Sequence, residues 1–367
     1  MAKPKVAILV NMIAPYRVRL FEHLASEFDL LILYGGMEAN RTSWEPTKVK
    51  GAGVRRVLGW HFSMSRRQDG KEFDKRFVHI EPGYFTDLIW QRPRAVITAE
   101  MGFRTLAALA YGALFRKPVW VWWGGTLRTE RATGRLKKLV RHFVARWAKH
   151  WLSYGQTSTE YLQTLGIPAD RIIQIQNSVD EASFSNAAEP ALEIRPKPVL
   201  LHVGQMIARK GIAEFLRAAA RLQHEGLNFS LLFVGGGPDR EQLQQLATTL
   251  NLRDVHFYPA QPPHAMPSFY RSADVLIFPT MEDVWGLVAN EAVLSGVRVL
   301  CSKYAGCAPE LFDSEAIFDP ADEPDFVEAL RRAVTGRLPD PDPTRLRPTN
   351  EVANMIVKAV NASMRKD

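Results

Sequence analysis

The chain has 367 residues, 46% hydrophobic and 23% charged, an ordinary soluble composition with room for two domains. Cys301 and Cys307 are its only cysteines, which excludes a disulfide framework and a cysteine-rich metal site and fits a reducing cytosol. No apolar stretch has the length of a membrane span and no signal peptide leads into the first strand, so a cytoplasmic location is expected, extending to peripheral association with the inner face of a membrane.

The net charge of +8 is unevenly spread: residues 1–182 hold 28 Lys and Arg against 16 Asp and Glu, and the remainder holds 19 against 23. A basic half suits an anionic partner such as a membrane surface or a phosphorylated acceptor. Nucleic acid is not expected, because zinc-finger spacing, an RNP-like aromatic motif and a basic region followed by heptads are all missing.

In the first half, β-rich apolar runs at 6–10, 30–33, 95–98, 119–123, 151–154 and 172–175 alternate with helix-like segments, among them 17–27 and 104–115. Such alternation predicts a parallel, doubly wound sheet with a crevice at the carboxyl ends of its strands. The turn after the first strand, with Pro15 at a helix start, carries Tyr16 and Arg17 to the mouth of that crevice, where both an acceptor contact and a plain structural turn fit. Glu100 and Glu130 lie near later strand ends and are candidate acceptor-side carboxylates, the alternative for each being a solvated side chain. The basic, irregular segment 40–76 reads as a mobile loop over the crevice.

Residues 135–151 combine two patterns. Leu136, Leu139, Val140, Phe143, Val144, Trp147 and Trp151 recur at helical spacing, and Arg135, Lys137, Lys138, Arg141, His142, Arg146, Lys149 and His150 occupy the positions between. A basic amphipathic helix with Trp suits an anionic membrane surface, and the same stripe can pack on a sheet.

The second half restarts with a strand at 199–203. The following turn, Gly204-Gln205-Met206-Ile207-Ala208-Arg209-Lys210-Gly211, lets a ligand approach the backbone at Gly204 and sets a cation beside a helix N-terminus at Lys210. A strand at 229–234 ends in Gly235-Gly236-Gly237, a Gly-rich turn that is a weak phosphate signal alone. Residues 275–278 form a strand stopped by Pro279, and a helix begins near Gly286, so the amides of Gly286, Leu287 and Val288 mark an anion site at its N-terminus. Glu282 and Asp283 precede that helix and Glu291 lies in its second turn, so two carboxylates flank the anion site, an arrangement that suits the hydroxyls of a nucleotide-sugar. Without the surrounding motifs, Asp283 reads as a helix cap and Glu291 as a surface residue. The Asp340-Pro341-Asp342 triplet lies between prolines and reads as a linker.

Asp283, Trp285-Gly286-Leu287-Val288, Glu291-Ala292 and Gly296 together resemble the acidic-x7-Glu signature of glycosyltransferase family four, and Gly204, Lys210-Gly211 and Gln176-Asn177-Ser178-Val179-Asp180 are similar to further motifs of that family. The resemblance implies an α/β GT-B fold: two Rossmann-like domains facing across a cleft, an N-terminal acceptor-side domain at 1–185, a linker at 186–197, a donor-binding domain at 198–348 and a C-terminal helix at 349–367 packing back on the first domain. It also implies retaining, metal-independent transfer of a hexose-type sugar from a UDP- or GDP-sugar to a saccharide or lipid-phosphate-linked acceptor, without a cofactor, in cell-surface glycan synthesis. Lys210 and Arg209 would stabilise the diphosphate with the amides of Leu287 and Val288, Glu291 would hold the ribose, and Asp283 or Glu282 the transferred sugar. Gln205 stands where the family has Arg, so a donor-binding relative without turnover, and a GT-B-like epimerase, remain open alternatives.

Overall fold

The computed structural model describes residues 2–36, 48–68, 71–185 and 189–365. The chain divides into two compact units, one of Met1–Met64, Arg76–Asp180 and Arg347–Asp367, the other of Ser65–Lys75 and Glu181–Leu346.

In the first unit strands β1 (Lys5–Val10), β2 (Asp29–Tyr34), β3 (Gly53–Arg56), the parts of β4 (Trp60–Gln68) and β5 (Lys71–Ile80) outside Ser65–Lys75, β6 (Ala95–Ala99), β7 (Val119–Trp123), β8 (His150–Ser153) and β9 (Ile172–Gln174) are interleaved with helices α1 (Val18–Glu27), α2 (Gly83–Gln91), α3 (Phe103–Phe115), α4 (Leu127–Glu130), α5 (Arg135–Trp147) and α6 (Gln156–Thr164). Seven of the strands form a parallel sheet in the order β3-β2-β1-β6-β7-β8-β9, and β4 and β5 pair separately. Every residue of β6 and β7 is buried, which is why their sequences are continuous apolar runs: a parallel strand in the middle of a doubly wound sheet is covered on both faces.

The loop expected at 40–76 is corrected here. Residues 37–47 and 69–70 lie outside the described residues, but 53–56 form a parallel edge strand against β2, with Val54 opposite Ile32, and 60–68 and 71–80 form the β4-β5 pair. The sequence Gly-Val-Arg-Arg hides its strand because all four residues of β3 are exposed, and an edge strand needs neither apolar faces nor a second ladder.

The second unit contains strands β10 (Val199–Val203), β11 (Ser230–Val234), β12 (Val255–Tyr258), β13 (Val275–Phe278), β14 (Arg298–Ser302) and β15 (Ile317–Phe318), with helices α7 (Ala182–Ser185), α8 (Ile212–His224), α9 (Arg240–Thr249), α10 (Met266–Arg271), α11 (Leu287–Leu294), α12 (Ala308–Leu311) and α13 (Glu323–Val334). Its sheet is parallel in the order β12-β11-β10-β13-β14-β15. Helix α8 shows how the sequence builds this layer: Ile212, Phe215, Leu216, Ala219 and Leu222 fall on one face at helical spacing and all are buried in the core under the sheet.

The last helix, α14 (Thr349–Met364), belongs to the first unit. Val352, Ile356, Ala359 and Val360 enter the same core as Val6, Ile8, Phe21 and Trp120, and the Trp120 indole donates to Ser363 Oγ at 3.0 Å. The chain is tied at its re-entry by Arg347 N donating to Gln176 Oε1 at 2.7 Å and by Thr349 Oγ1 donating to the Val179 carbonyl at 2.8 Å.

Strand order reverses direction between β1 and β6 in one sheet and between β10 and β13 in the other. At such a switch point the loops leaving the two neighbouring strands run to opposite faces and open a crevice at the carboxyl edge. The loops after β1 and β6, and those after β10 and β13, are therefore where this fold offers binding sites.

Truncation of Ile356 to Ala is expected to lower the stability of the first unit by about 3 kcal/mol, the usual cost of a cavity at a fully buried aliphatic position, and to leave the second unit unaffected. Urea unfolding followed by a probe in each unit checks this.

Candidate active site

At the switch point of the second unit, β10 ends and the chain turns through Gly204 and Gln205 into a 3-10 turn at Ala208–Lys210 before α8 starts. On the neighbouring strand, β13 runs into Pro279, and the loop to α11 is stitched on both sides. Met281 N donates to the Arg209 carbonyl at 2.9 Å, Asp283 N to the Tyr304 carbonyl at 3.2 Å, and Cys307 N to the Trp285 carbonyl at 3.1 Å. Trp285 is itself buried, with its indole donating to Asn290 Oδ1 at 2.9 Å. The loop before α11 is thus held from within and by its neighbours.

This framing brings together side chains 73 positions apart. Lys210 Nζ lies 2.6 Å from Asp283 Oδ2, and Arg209 Nη1 lies 3.9 Å from the same oxygen while donating to the Glu282 carbonyl at 3.1 Å. Burial alone would push the Asp283 carboxyl up, but Lys210 and then Arg209, with the Trp285 amide donating to Oδ1, hold it below the usual carboxylate range. The Asp283 carboxylate thus faces both cations. Glu282 is 3% exposed, and its carbonyl accepts from Arg209 and from Thr280 Oγ1.

Helix α11 begins at Leu287, one residue past Gly286. Gly286 has φ of 101°, and a Cβ there would lie 2.3 Å from the Phe278 ring, so glycine is demanded twice over. Leu287 and Val288 follow half-buried, with the amides of the first turn directed out of the helix N-terminus by its geometry. The Gly-rich turn after β11 has a structural explanation beside the phosphate one. A Cβ on Gly235, whose φ is 155°, would lie 1.9 Å from the Gly204 carbonyl oxygen, because the loops after β10 and β11 run in backbone contact. Gly236 faces open space, and its carbonyl accepts from Met206 N at 2.8 Å.

Glu291, one turn further along α11, is not a surface residue. It accepts a 2.6 Å hydrogen bond from the Tyr270 hydroxyl, and burial pushes its carboxyl up to about 7 although that bond pulls the other way. Tyr270, fully buried on α10, lies outside the motifs legible in sequence. A second unanticipated group is His202 on β10, buried, with Nδ1 3.3 Å from the Ile277 carbonyl; burial and then Lys210 lower its pKa to about 3, so the ring is neutral.

In the first unit the two carboxylates near strand ends, Glu100 and Glu130, differ. Glu130 is spoken for: Arg141 Nε lies 3.2 Å from its carboxylate and Thr133 Oγ1 donates at 3.1 Å, while the Arg141 guanidinium also stacks 4.5 Å from the Trp123 ring centroid and donates to the Met101 carbonyl. Glu100 follows β6 at the switch point, in left-handed backbone with φ of 65° and with a side chain 63% exposed, held by Arg104 Nη2 at 2.7 Å. Arg104 in turn donates to Asn11 Oδ1 after β1, so the two loops of this crevice are joined. Tyr16 and Arg17 sit at the same edge, Tyr16 half-buried and Arg17 buried, with Arg17 donating to the Tyr154 hydroxyl.

The stripe at 135–151 does not pack as a unit. Val144 and Trp151 are buried and Val140 is half-buried, but Leu136, Leu139, Phe143 and Trp147 remain 76%, 68%, 51% and 62% exposed, with the Phe143 and Trp147 rings 6.0 Å apart. Packing of the whole stripe on the sheet is thereby corrected. Helix α5 is too wide in its apolar arc for one contact face, and Arg141 takes a buried place against Trp123.

Against known proteins, residues 185–352 match the family described as Glycosyl transferases group 1. The lipopolysaccharide glucosyltransferase WaaG of Escherichia coli is 30% identical over 209 residues, 55% of this chain and 53% of that protein. The D-inositol 3-phosphate glycosyltransferase of Acidothermus cellulolyticus is 34% identical over 155 residues, 39% of this chain and 34% of that one. The chain thus spans about half or less of the length of these curated relatives. Among solved structures, Anabaena HepE in complex with UDP and glucose superposes with a TM-score of 0.67 at 16% identity, covering 99% of this chain and 98% of that one. The chain thus has the GT-B fold of these structures, and its residues 185–352 are similar to the group 1 glycosyltransferases.

If a ligand hydroxyl donates to Glu291, only the ionised carboxylate has both oxygens available, so nucleotide affinity is expected to rise as pH increases through about 7. Tyr270→Phe removes the bond that lowers this pKa and shifts the midpoint upward, and Glu291→Gln flattens the profile. Titration of UDP and GDP from about one unit below to about one unit above that midpoint checks both.

Proposed function

We propose that the chain is a retaining, metal-independent glycosyltransferase that moves a hexose-type sugar from a UDP- or GDP-sugar to a saccharide or lipid-phosphate-linked acceptor in cell-surface glycan synthesis. The observation that carries this reading is the convergence of Lys210 and Arg209 on Asp283 beside the N-terminus of α11, at the switch point of the donor-side sheet. When the bond from the anomeric carbon to the diphosphate breaks, its electron pair leaves with the nucleoside diphosphate. Two fixed cations and a helix N-terminus are the stabilisers that developing charge requires, and their positions are set before the reaction begins.

Roles follow from placement. Lys210 and Arg209, with the amides of Leu287 and Val288, meet the diphosphate; Glu291 takes the ribose hydroxyls; Asp283 takes the transferred sugar and keeps the ammonium of Lys210 aimed. Arg209 supplies the guanidinium that Gln205 lacks, which favours turnover over a binding-only relative. With the cations of the chain itself neutralising the leaving group, no divalent ion is required.

Purified protein incubated with UDP- and GDP-sugars in EDTA, with and without lipid-linked acceptors, is expected to release nucleoside diphosphate from one donor. Lys210→Ala is expected to cost about 100-fold or more in turnover, the scale of a lost transition-state stabiliser, and Glu291→Ala to act mainly on donor affinity. Donor binding without release for any acceptor would leave the binding-only alternative in place of the transferase.

The exposed face of α5 supports peripheral attachment to an anionic bilayer. Leu136, Leu139, Phe143 and Trp147 project among the exposed cations Arg135, Lys137, Lys138, Arg146 and Lys149, so apolar insertion and charge attraction act on one surface. No helix among the described residues is long and apolar enough to cross a membrane. Sedimentation with phosphatidylglycerol vesicles is expected to retain the wild type, to lose the Phe143→Ser/Trp147→Ser variant by about tenfold in affinity, and to show little binding to phosphatidylcholine alone.

A further inference from the structure

The strongest unassigned feature is the guanidinium of Arg17. It follows β1 at the switch point of the first sheet and is 7% exposed. Its Cζ lies 4.3 Å from the Trp122 ring centroid, 5.5 Å from that of Tyr154 and 5.7 Å from that of Tyr16, and Nη2 donates to the Tyr154 hydroxyl. Among the described residues no carboxylate pairs with it. The acid at the same edge, Glu100, is held at 2.7 Å by Arg104 instead. Arg17 Nε has no hydrogen-bond partner, and the indole N–H of Trp122, the ring beneath the guanidinium, has none either.

A buried cation needs a counter-charge, because ring faces and the neutral hydroxyls of Tyr154 and Tyr16 return only part of the solvation it gives up. Arg104 and Arg141, the other buried arginines at this end of the sheet, each have a glutamate. Arg17 offers a planar fork with a vacant donor at the position where doubly wound sheets bind their ligands, and a fork of this kind matches an oxyanion bidentately.

We infer that Arg17, with Tyr154 and Trp122, forms a subsite for a phosphate-class oxyanion carried by the acceptor. The anion completes the charge of Arg17 and takes up its free Nε donor. This rests on the glycosyltransferase reading for the word acceptor, but the anion site itself belongs to the first unit and is testable without any transfer reaction.

The test is calorimetric titration of the full chain with inorganic phosphate, with glycerol 3-phosphate and with phosphatidic acid in neutral detergent micelles. A Lys210→Ala background removes competition from the diphosphate site. All three probes are expected to bind if the phosphate alone is recognised, whereas binding of the micellar probe only would assign the subsite to a lipid headgroup. Arg17→Met is expected to weaken binding of whichever probes the parent binds by at least tenfold and Arg17→Lys by less, with UDP affinity, measured on the Lys210 parent chain, unchanged. Should Arg17→Met lose its fold by circular dichroism, Tyr154→Phe, which releases the guanidinium without removing it, is expected to weaken the same probes about threefold. Absence of binding by every probe, or binding that Arg17→Met and Tyr154→Phe leave intact, overturns the subsite. Loss of UDP binding in the unmodified chain would overturn the donor reading instead.

Discussion

The second unit's candidate site depends on one contact, the 2.6 Å approach of the Lys210 ammonium to Asp283. It joins the loops of two adjacent strands, β10 and β13, that leave the sheet toward opposite faces. A carboxylate so enclosed is costly unless compensated, and here Lys210, Arg209 and the Trp285 amide compensate it. The pair ties Lys210 to the loop that leads into the N-terminus of α11. Removing either partner would strand the other, so the geometry of the anion site and the integrity of the loop are the same constraint seen from two sides.

The two switch points are put to different chemical use. In the second unit the loops assemble unlike charges, two cations on one carboxylate with Glu291 kept near its titration point by burial. In the first unit the loops assemble arginines over aromatic rings. Arg104 and Arg141 are neutralised by Glu100 and Glu130, and Arg17 is not. Among the described residues of 1–182, the positive charge includes a buried cation at the sheet edge and an exposed basic face on α5.

Much of this was legible in the sequence, for physical reasons that vary with the element. Strands such as β7, Val-Trp-Val-Trp-Trp, announce themselves because central parallel strands are apolar on both faces. Helix α11 was placed within a residue of its start because its apolar periodicity sets in at Leu287 and Gly296 marks its stop. Strand β3 was invisible because an edge strand with four exposed residues leaves no pattern. The stripe on α5 was seen, but its splitting was not. Periodicity records which residues share a face and is silent on which neighbours cover it, and here a buried Arg141 displaced the simpler arrangement. Tyr270 could not be connected with Glu291 from sequence, since 21 positions and a strand separate two groups that meet at 2.6 Å.

On the proposed reading, Lys210 and Asp283 act as one unit in holding a nucleoside diphosphate. A double-mutant cycle with Lys210→Met and Asp283→Asn, read as UDP or GDP affinity on folded protein, tests it most directly. The expected result is a coupling of about 1 kcal/mol or more, because Lys210 without its carboxylate is misaimed and Asp283 without its ammonium repels the phosphates. Strict additivity of the two substitutions, with full nucleotide affinity retained in the Asp283 variant, would show that the ion pair serves the fold alone and that the diphosphate is held elsewhere.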